Sequence, residues 1–559
     1  MINKTVLFLI LVLLQPVYNL QAQNKPDKGS GQNENSFEIA KNLEIYVSLF
    51  KELNTYYVND INPAELIKVS IDAMLKTLDP YTVYYPESEM EDARFLTTGN
   101  YGGIGAIVSK RGDYVQITEP YEGSPAQTSG LLAGDIILEI DGKSTKGLAT
   151  DEVTVLLKGQ PDTEVNLLIE RNNTQEKLKI KVKRGKIQIP NVPYYGMLSD
   201  DIGYIILSGF KEKATDDIKA ALIKLKENNN LKGLIFDLRD NPGGLLIESV
   251  KLAGLFVEKG QLIVSTKGKV NSWNKEYRTY ESPLFPDLPV VFLINEGSAS
   301  ASEILSGAMQ DLDRAVILGH RSLGKGLVQT PRSLPYNTQL KVTTAKYYIP
   351  SGRCIQEIDY AHKGTDGKAV KVADSLITKF VTKNGRPVYD GKGIFPDVET
   401  SKDTAIEVLQ YLNQEFIIFD FATKYRSEHD KIAEPGKFVF TQKDYDDFVE
   451  FVKNKELKFK TQSEKALEDL KKRAEKAKNF DLIKTEFELM TKKLEEQKIN
   501  DLYRYQKQIQ KQVVEEIISR YYYQTGKIIN SLTDDTDISE AIKILKQAER
   551  YNSILSGKI

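Results

Sequence analysis

Apolar residues change their spacing several times along the chain, and each change marks a different kind of element. Lys4 precedes an unbroken apolar run from Val6 to Leu14, which ends at Pro16 and gives way to a polar stretch from Gln21 to Asn35. At about 1.5 Å per residue this run is too short to cross a hydrocarbon layer of about 30 Å. It fits a secretory signal peptide over residues 1–22 better than a short buried helix, which would have little to pack against. No cysteine follows the run, so lipid attachment there is not expected. From Phe37 to Lys76 apolar residues recur at helical spacing (Leu43, Val47, Phe50, Leu53, then Leu66, Val69, Met74), and Leu78-Asp79-Pro80 ends the pattern. Between Tyr101 and Arg184 the spacing switches to short apolar runs punctuated by Gly, Asp and Asn, the signature of a small β-rich module.

Beyond Gly203 the pattern becomes strand, helix, strand. Tyr204–Leu207, Gly233–Leu238, Val290–Ile294 and Ala315–Leu318 are continuous apolar strands, with amphipathic stretches over 215–226 and 246–257 between them. Strands without alternation are expected to be buried on both faces, which implies an α/β core with largely parallel pairing. After about Ser401 the chain turns Lys- and Glu-rich with helical periodicity, clearest over 444–520. Such charged helices read as solvated faces, and no chemistry is assigned to them.

Composition narrows the function classes only a little. The 559 residues suggest roughly three to five domains, and 76 Lys+Arg against 78 Asp+Glu leave a net charge of -2, so no electrostatic case exists for a nucleic-acid partner. The single cysteine, Cys354, has no disulfide partner within the chain and reads as a packing residue. His320, His362 and His429 lack metal-ligand spacing, so neither a metal nor a cofactor is expected.

Three loops could carry chemistry. Gly297-Ser-Ala-Ser-Ala-Ser-Glu303 lies between a strand and a helix, the setting in which a nucleophile is held exposed beside backbone N–H groups. The same residues, Ser300 to Glu303, also satisfy a helix capping box, which requires no function. After the next strand comes Gly319-His-Arg-Ser-Leu-Gly-Lys-Gly326. It approaches a phosphate-binding loop, but Gly326 stands where a magnesium-binding hydroxyl is needed, so nucleotide is not expected. A lysine presented inward by such a turn, if buried and unpaired, loses its proton more readily and can serve as general base for a serine, whereas an exposed turn lysine is the usual fate of a lone Lys. Asp237-Leu-Arg-Asp-Asn-Pro-Gly-Gly244, after a third strand, is either a plain turn or a source of approachable N–H groups. If the three strands are parallel, all three loops emerge on one edge of the sheet.

Together these segments resemble the carboxyl-terminal processing peptidases, or tail-specific proteases, over residues 37 to 400; Leu78-Asp-Pro-Tyr-Thr82, Tyr348–Arg353 and Gly393–Val398 also look familial. The resemblance implies a crotonase/Clp-like α/β serine peptidase core within a multidomain α/β and α+β chain. It implies Ser300 as nucleophile, Lys325 as general base and Gln329 as the residue orienting the lysine. The oxyanion hole would use the Ala301 N–H with that of Gly243 or Gly244, and Ser298 and Ser302 would be packing or capping residues. The β module resembles a PDZ domain, with Gly103, Ile104, Gly105 and Ala106 similar to the loop that accepts a peptide carboxylate while the tail adds to a sheet edge. Two departures stand out: His320 sits where the family more often has Glu, and the tail beyond 400 lies outside the shared core.

The expected organisation is a signal peptide (1–22), a linker and helical region (23–97), a PDZ domain (98–186), the peptidase core (187–400) and a C-terminal helical extension (401–559). The expected function is an exported, periplasmic or envelope-located endopeptidase. It would cut near substrate tails captured by a PDZ module that gates the site, and it leaves room for an adaptor protein or homo-oligomers. The competing class is a peptide-binding scaffold that keeps the fold without the chemistry.

Overall fold

The structure, a computed structural model, describes residues 30–171, 176–228, 230–401, 406–455 and 460–558. The signal peptide expected over 1–22 lies outside the described residues. The first compact unit, ending at Ala73, holds the helix Ser30–Tyr56 and most of the helix Pro63–Lys76, joined by the Tyr46 hydroxyl and Ser70 Oγ at 2.6 Å.

In the second unit, from Met74 onward, the β module is an antiparallel sheet in the order Ala106–Arg111, Tyr114–Pro120, Ile136–Ile140, Glu164–Arg171, Glu176–Lys183. Its core contains Ile117, Ile137, Val165 and Ile169 together with Val153 and Leu157 from the helix Thr150–Leu157. Ala106–Arg111 is an outer strand of this sheet. A two-stranded ribbon, Asn100–Gly103 with Gly185–Gln188, joins the module's two ends.

The centre of the molecule is a six-stranded sheet. Its strands are Tyr194–Met197, β1 (Ile202–Ile206), β2 (Gly233–Asp237), β3 (Val290–Ile294), β4 (Val316–Gly319) and, after the hairpin β5 (Leu327–Leu334) and β6 (Thr338–Tyr348), β7 (Val398–Glu399). Within this sheet β1, β2, β3, β4 and β7 pair in parallel, and only Tyr194–Met197 runs antiparallel. Successive residues of a strand point to opposite faces, and here both faces are covered. Leu234, Phe236, Val290, Phe292 and Ile294 face α1 (Ala214–Asn228), α2 (Leu246–Ala253) and α3 (Ala301–Asp311). Ile235, Val291, Leu293, Val316 and Leu318 face α4 (Thr536–Lys546) and α5 (Ala548–Leu555) at the far end of the chain, through Ile538, Ala541, Ile544 and Ile554. Double coverage is why these strands read as continuous apolar runs.

Two pieces therefore cross the linear boundaries expected from the sequence. The last helices of the extension belong to the six-stranded sheet, fixed also by the Tyr551 hydroxyl on the Val290 N–H at 3.1 Å. Val83–Tyr85, from the region before the β module, pairs with β6 in a second, five-stranded sheet. The rest of the extension is a helical domain with its own core, including Leu412, Phe421, Phe448 and Ile517. It also touches the β module, where Arg111 pairs with Asp420 at 2.6 Å and Gln127 Nε2 donates to the Tyr523 hydroxyl at 2.5 Å.

If α4 is part of the six-stranded sheet's core, Ile544→Ala removes fully buried methyl groups and destabilises that core by roughly 2–5 kcal/mol. Thermal unfolding of the full chain checks this, and an unchanged melt would show α4 to be a peripheral attachment.

Candidate active site

The turn after β3 is assembled by its own small side chains. Ser298 Oγ accepts the Asn295 N–H at 3.0 Å and donates to the Leu238 carbonyl at 2.8 Å, tying this turn to the one after β2. The Ser302 hydroxyl and the Ala299 N–H both reach the Asn241 carbonyl, at 2.9 and 3.0 Å. Between them Ser300 precedes α3 with φ 57° and ψ -114°, a backbone conformation that costs a residue with a Cβ of order 1–3 kcal/mol and clusters at functional sites. Ala301 opens α3, and an N–H at that position has no acceptor within its own helix.

The turn after β2 shows why two adjacent glycines are required. Gly243 has φ +96°, and a Cβ there would lie 2.6 Å from the Ala299 oxygen and 2.8 Å from both Ser300 Cβ and the Ala301 nitrogen. A Cβ on Gly244 (φ +144°) would meet the Phe210 oxygen at 2.3 Å. Asn241 braces this turn, donating to the Leu207 carbonyl at 2.7 Å and accepting the Gly243 N–H at 2.9 Å. In this arrangement the Gly243 N–H is engaged by Asn241.

The third turn is joined to the first by one carboxylate. Glu303, fully buried, accepts the Ser300 N–H (2.8 Å), the Ser322 hydroxyl (2.6 Å), the Gly324 N–H (2.7 Å) and the Lys325 N–H (2.9 Å). Burial pushes its pKa up to about 7, against the pull of these donors. The spacing Ser300 to Glu303 marks a capping box in the sequence; in three dimensions the same carboxylate also clamps the lysine turn. The Tyr347 hydroxyl adds a second clamp, donating to the carbonyls of Lys325 at 2.5 Å and Ser300 at 3.2 Å.

Lys325 is half-buried, with Nζ lying 4.4 Å from the centre of the Tyr81 ring. Burial, with a contribution from Lys341, brings its pKa down to about 8, although Glu303 and Asp79 act in the opposite direction. Among the described residues its ammonium makes no hydrogen bond to Ser300 Oγ. Tyr81 is placed by Asp79, whose carboxylate accepts the N–H groups of Tyr81 and Thr82, both at 2.8 Å. Gln329 Nε2 donates to Thr343 Oγ1 at 3.2 Å, and the Thr343 N–H donates to Thr82 Oγ1 at 3.2 Å. The structure thus gathers Ser300, Ala301, Gly243, Gly244 and Lys325 around one sheet edge, while Gln329 bonds Thr343 and not the lysine.

Sequence reasoning missed Glu303 as a bridge and Tyr81 as the surface beneath the lysine. The Ser300–Glu303 spacing signals a cap but not a bridge to a second loop, and nothing local in Leu78–Thr82 points to the lysine. Cys354 is largely buried, which pushes its thiol pKa up and suits a packing residue. On the β module, the Ile104 carbonyl accepts the Ala126 N–H at 2.7 Å and the Gly105 carbonyl accepts the Tyr121 N–H at 2.9 Å. Gly105 takes φ +76°, so Gly103 to Ala106 forms a braced loop that feeds directly into the outer strand.

Two substitutions probe these clamps. Glu303→Gln places an amide N–H₂ where only acceptors fit and lowers stability by roughly 1–3 kcal/mol. Gly243→Ala is more severe, because the added methyl meets backbone on an unfavourable φ. Thermal melts of both variants check this, and wild-type melting of either would show the turns to be more plastic than their packing implies.

Comparison with known protein families agrees with this architecture. Residues 201–366 match the model of peptidase family S41, 116–171 that of a PDZ domain, and 408–545 that of a probable PDZ-protease C-terminal helical domain. The tail beyond residue 400 thus has a family counterpart of its own. A carboxy-terminal-processing protease of Bartonella bacilliformis is 37% identical over 361 residues, 64% of this chain and 81% of that protein. A probable CtpA-like serine protease of Staphylococcus aureus is 34% identical over 367 residues, 65% of this chain and 68% of that protein. Among solved structures, the photosystem II D1 C-terminal processing protease aligns with a TM-score of 0.34 at 26% identity, over 65% of this chain and 94% of that one. The chain belongs to peptidase family S41 and is a serine-type peptidase carrying a PDZ domain and a C-terminal helical domain.

Proposed function

We propose that this chain is an exported endopeptidase that captures substrate C-terminal tails on its PDZ module and cuts near them with Ser300 and Lys325. The observation that carries the reading is the shared clamp of Glu303 on the Ser300 and Lys325 turns, beside a lysine whose burial makes neutral amine accessible near pH 8. In acylation, neutral Lys325 Nζ takes the Ser300 hydroxyl proton as Oγ bonds to the scissile carbonyl carbon. The oxyanion is received by the Ala301 N–H and the Gly244 N–H, since the Gly243 N–H is engaged by Asn241. The C–N bond breaks as the lysine returns its proton to the leaving amine; water then bonds to the acyl carbon as the lysine takes its proton, and the lysine passes that proton to Ser300 Oγ as the C–Oγ bond breaks. The lysine must leave the Tyr81 ring to reach Ser300, and Gln329 would orient it after that move.

At the PDZ module the free side of Ala106–Arg111 would pair with an extended tail, its carboxylate received by the loop from Gly103 to Ala106. Substrates are therefore proteins or peptides with accessible C-termini. A gating role for the module, an adaptor and homo-oligomers all remain compatible with this arrangement. The signal-like run at the N-terminus supports export to the periplasm or envelope.

The test is cleavage of an unfolded protein with a free apolar C-terminus. Wild type should cut it, Ser300→Ala should lose at least about 10³-fold, and Lys325→Ala about 10²–10⁴-fold while remaining folded. Because the base acts unprotonated, kcat/KM should rise with pH through about 8 and then level, and amidation of the substrate's C-terminus should raise KM. Normal cutting by Lys325→Ala would reject the dyad. Tail binding without any cutting would favour the scaffold reading.

A further inference from the structure

Arg239 lies two residues after the end of β2 and immediately before the glycine turn, and it meets three carboxylates. Its Nε is 3.1 Å from both Asp237 oxygens and its Nη2 is 2.6 Å from Asp237 Oδ2, while Nη1 reaches Asp535 Oδ2 at 2.8 Å and Asp537 Oδ2 at 3.1 Å. The acids are engaged on both sides of the contact. Asp237 also accepts the Tyr204 hydroxyl at 2.8 Å and the Arg239 N–H at 2.9 Å. Asp535 Oδ1 caps α4 through the N–H groups of Asp537 (2.9 Å) and Ile538 (3.1 Å). Although burial opposes its charge, the carboxylates of Asp237 and Asp535 hold the guanidinium pKa above its ordinary value.

We propose that Asp535 and Asp537 hold the Gly243–Gly244 turn in its working shape through Arg239, so that the C-terminal helices are a functional part of the peptidase site. The geometry is short and direct. Asp240, the next residue, has φ 57° and so needs external support; its N–H donates to Asn295 Oδ1 at 2.9 Å and its carboxylate accepts Asn295 Nδ2 at 3.0 Å. Four residues after Arg239 comes Gly243, packed against the Ala299 carbonyl, the Ala301 nitrogen and Ser300 Cβ. The carboxylates arrive on a rigid element, because α4 is buried on the sheet through Ile538, Ala541 and Ile544. A guanidinium suits the role: its fixed fork binds several carboxylates at once, which a lysine's point charge does not. Arg239 is thus a positioning residue, acting on the proposed oxyanion donors through the backbone of its own turn.

The test uses the full mature chain with Asp537→Asn, which leaves the Asp535 cap intact, and Arg239→Lys. The kcat readout rests on the reading of Ser300 given above. Amide exchange of residues 239–245, followed by mass spectrometry, needs no turnover and decides the proposal independently. In Asp537→Asn, exchange of this turn should quicken while the PDZ strands exchange as in wild type. Melting and KM should stay close to wild type as kcat falls about ten-fold or more. Arg239→Lys should show the same pattern at least as strongly. Unchanged exchange at 239–245, or a kcat that falls only in step with melting, would overturn the proposal. If Ser300→Ala cut as well as wild type, the Ser300 reading would fail while the exchange result still stood.

Discussion

The site depends on one buried carboxylate. Glu303 takes donors from the Ser300 turn and from the Ser322–Lys325 turn, and among the described residues no other side chain accepts from both. An acid without solvent is costly unless its oxygens are filled, and four donors fill them. The consequence is geometric. Two loops that leave different strands are fixed relative to each other, which a hydrophobic contact, being non-directional, would not achieve. Tyr347 reinforces the junction by bonding the carbonyl of each loop.

Around this junction the parallel sheet does the coarse placement. Pairing of β2, β3 and β4 in one direction brings their following turns to one edge, so residues 237–244, 295–300 and 319–326 meet without any long-range signal in the chain. Small residues then allow close approach: Gly243 and Gly244 sit where any Cβ would strike backbone. Lys325 is held differently. Its ammonium rests on an aromatic ring that tolerates a cation in a partly dry place, which keeps a charged lysine beside the serine turn without bonding the serine.

The C-terminal extension has two parts of different character. Its middle is a helical domain with its own apolar core, in contact with the PDZ module through Arg111 and Asp420. Its end is not an appendage at all: α4 and α5 supply the second layer of the peptidase sheet. A sheet whose strands are apolar on both sides must be covered on both sides, and the first cover, α1 to α3, is local in sequence while the second comes from the far end of the chain, Thr536–Lys546 and Ala548–Leu555.

The sequence by itself determined the elements and the turns where chemistry could sit. Continuous apolar strands announced a doubly covered parallel sheet, the change of spacing marked the β module, and Ser300, Lys325 and the two glycines were legible because small-residue turns after strands are local patterns. It could not determine the second layer, since the Lys- and Glu-rich tail has the periodicity of any solvated helix and nothing local distinguishes Ile544 from a residue of the helical domain. Nor could it determine what Glu303, Tyr81 and Arg239 touch. Spacing fixes neighbours along one helix or turn, as in the capping box, whereas a carboxylate shared by two loops, or an arginine shared by a strand end and a helix 298 residues later, exists only once the chain has closed on itself.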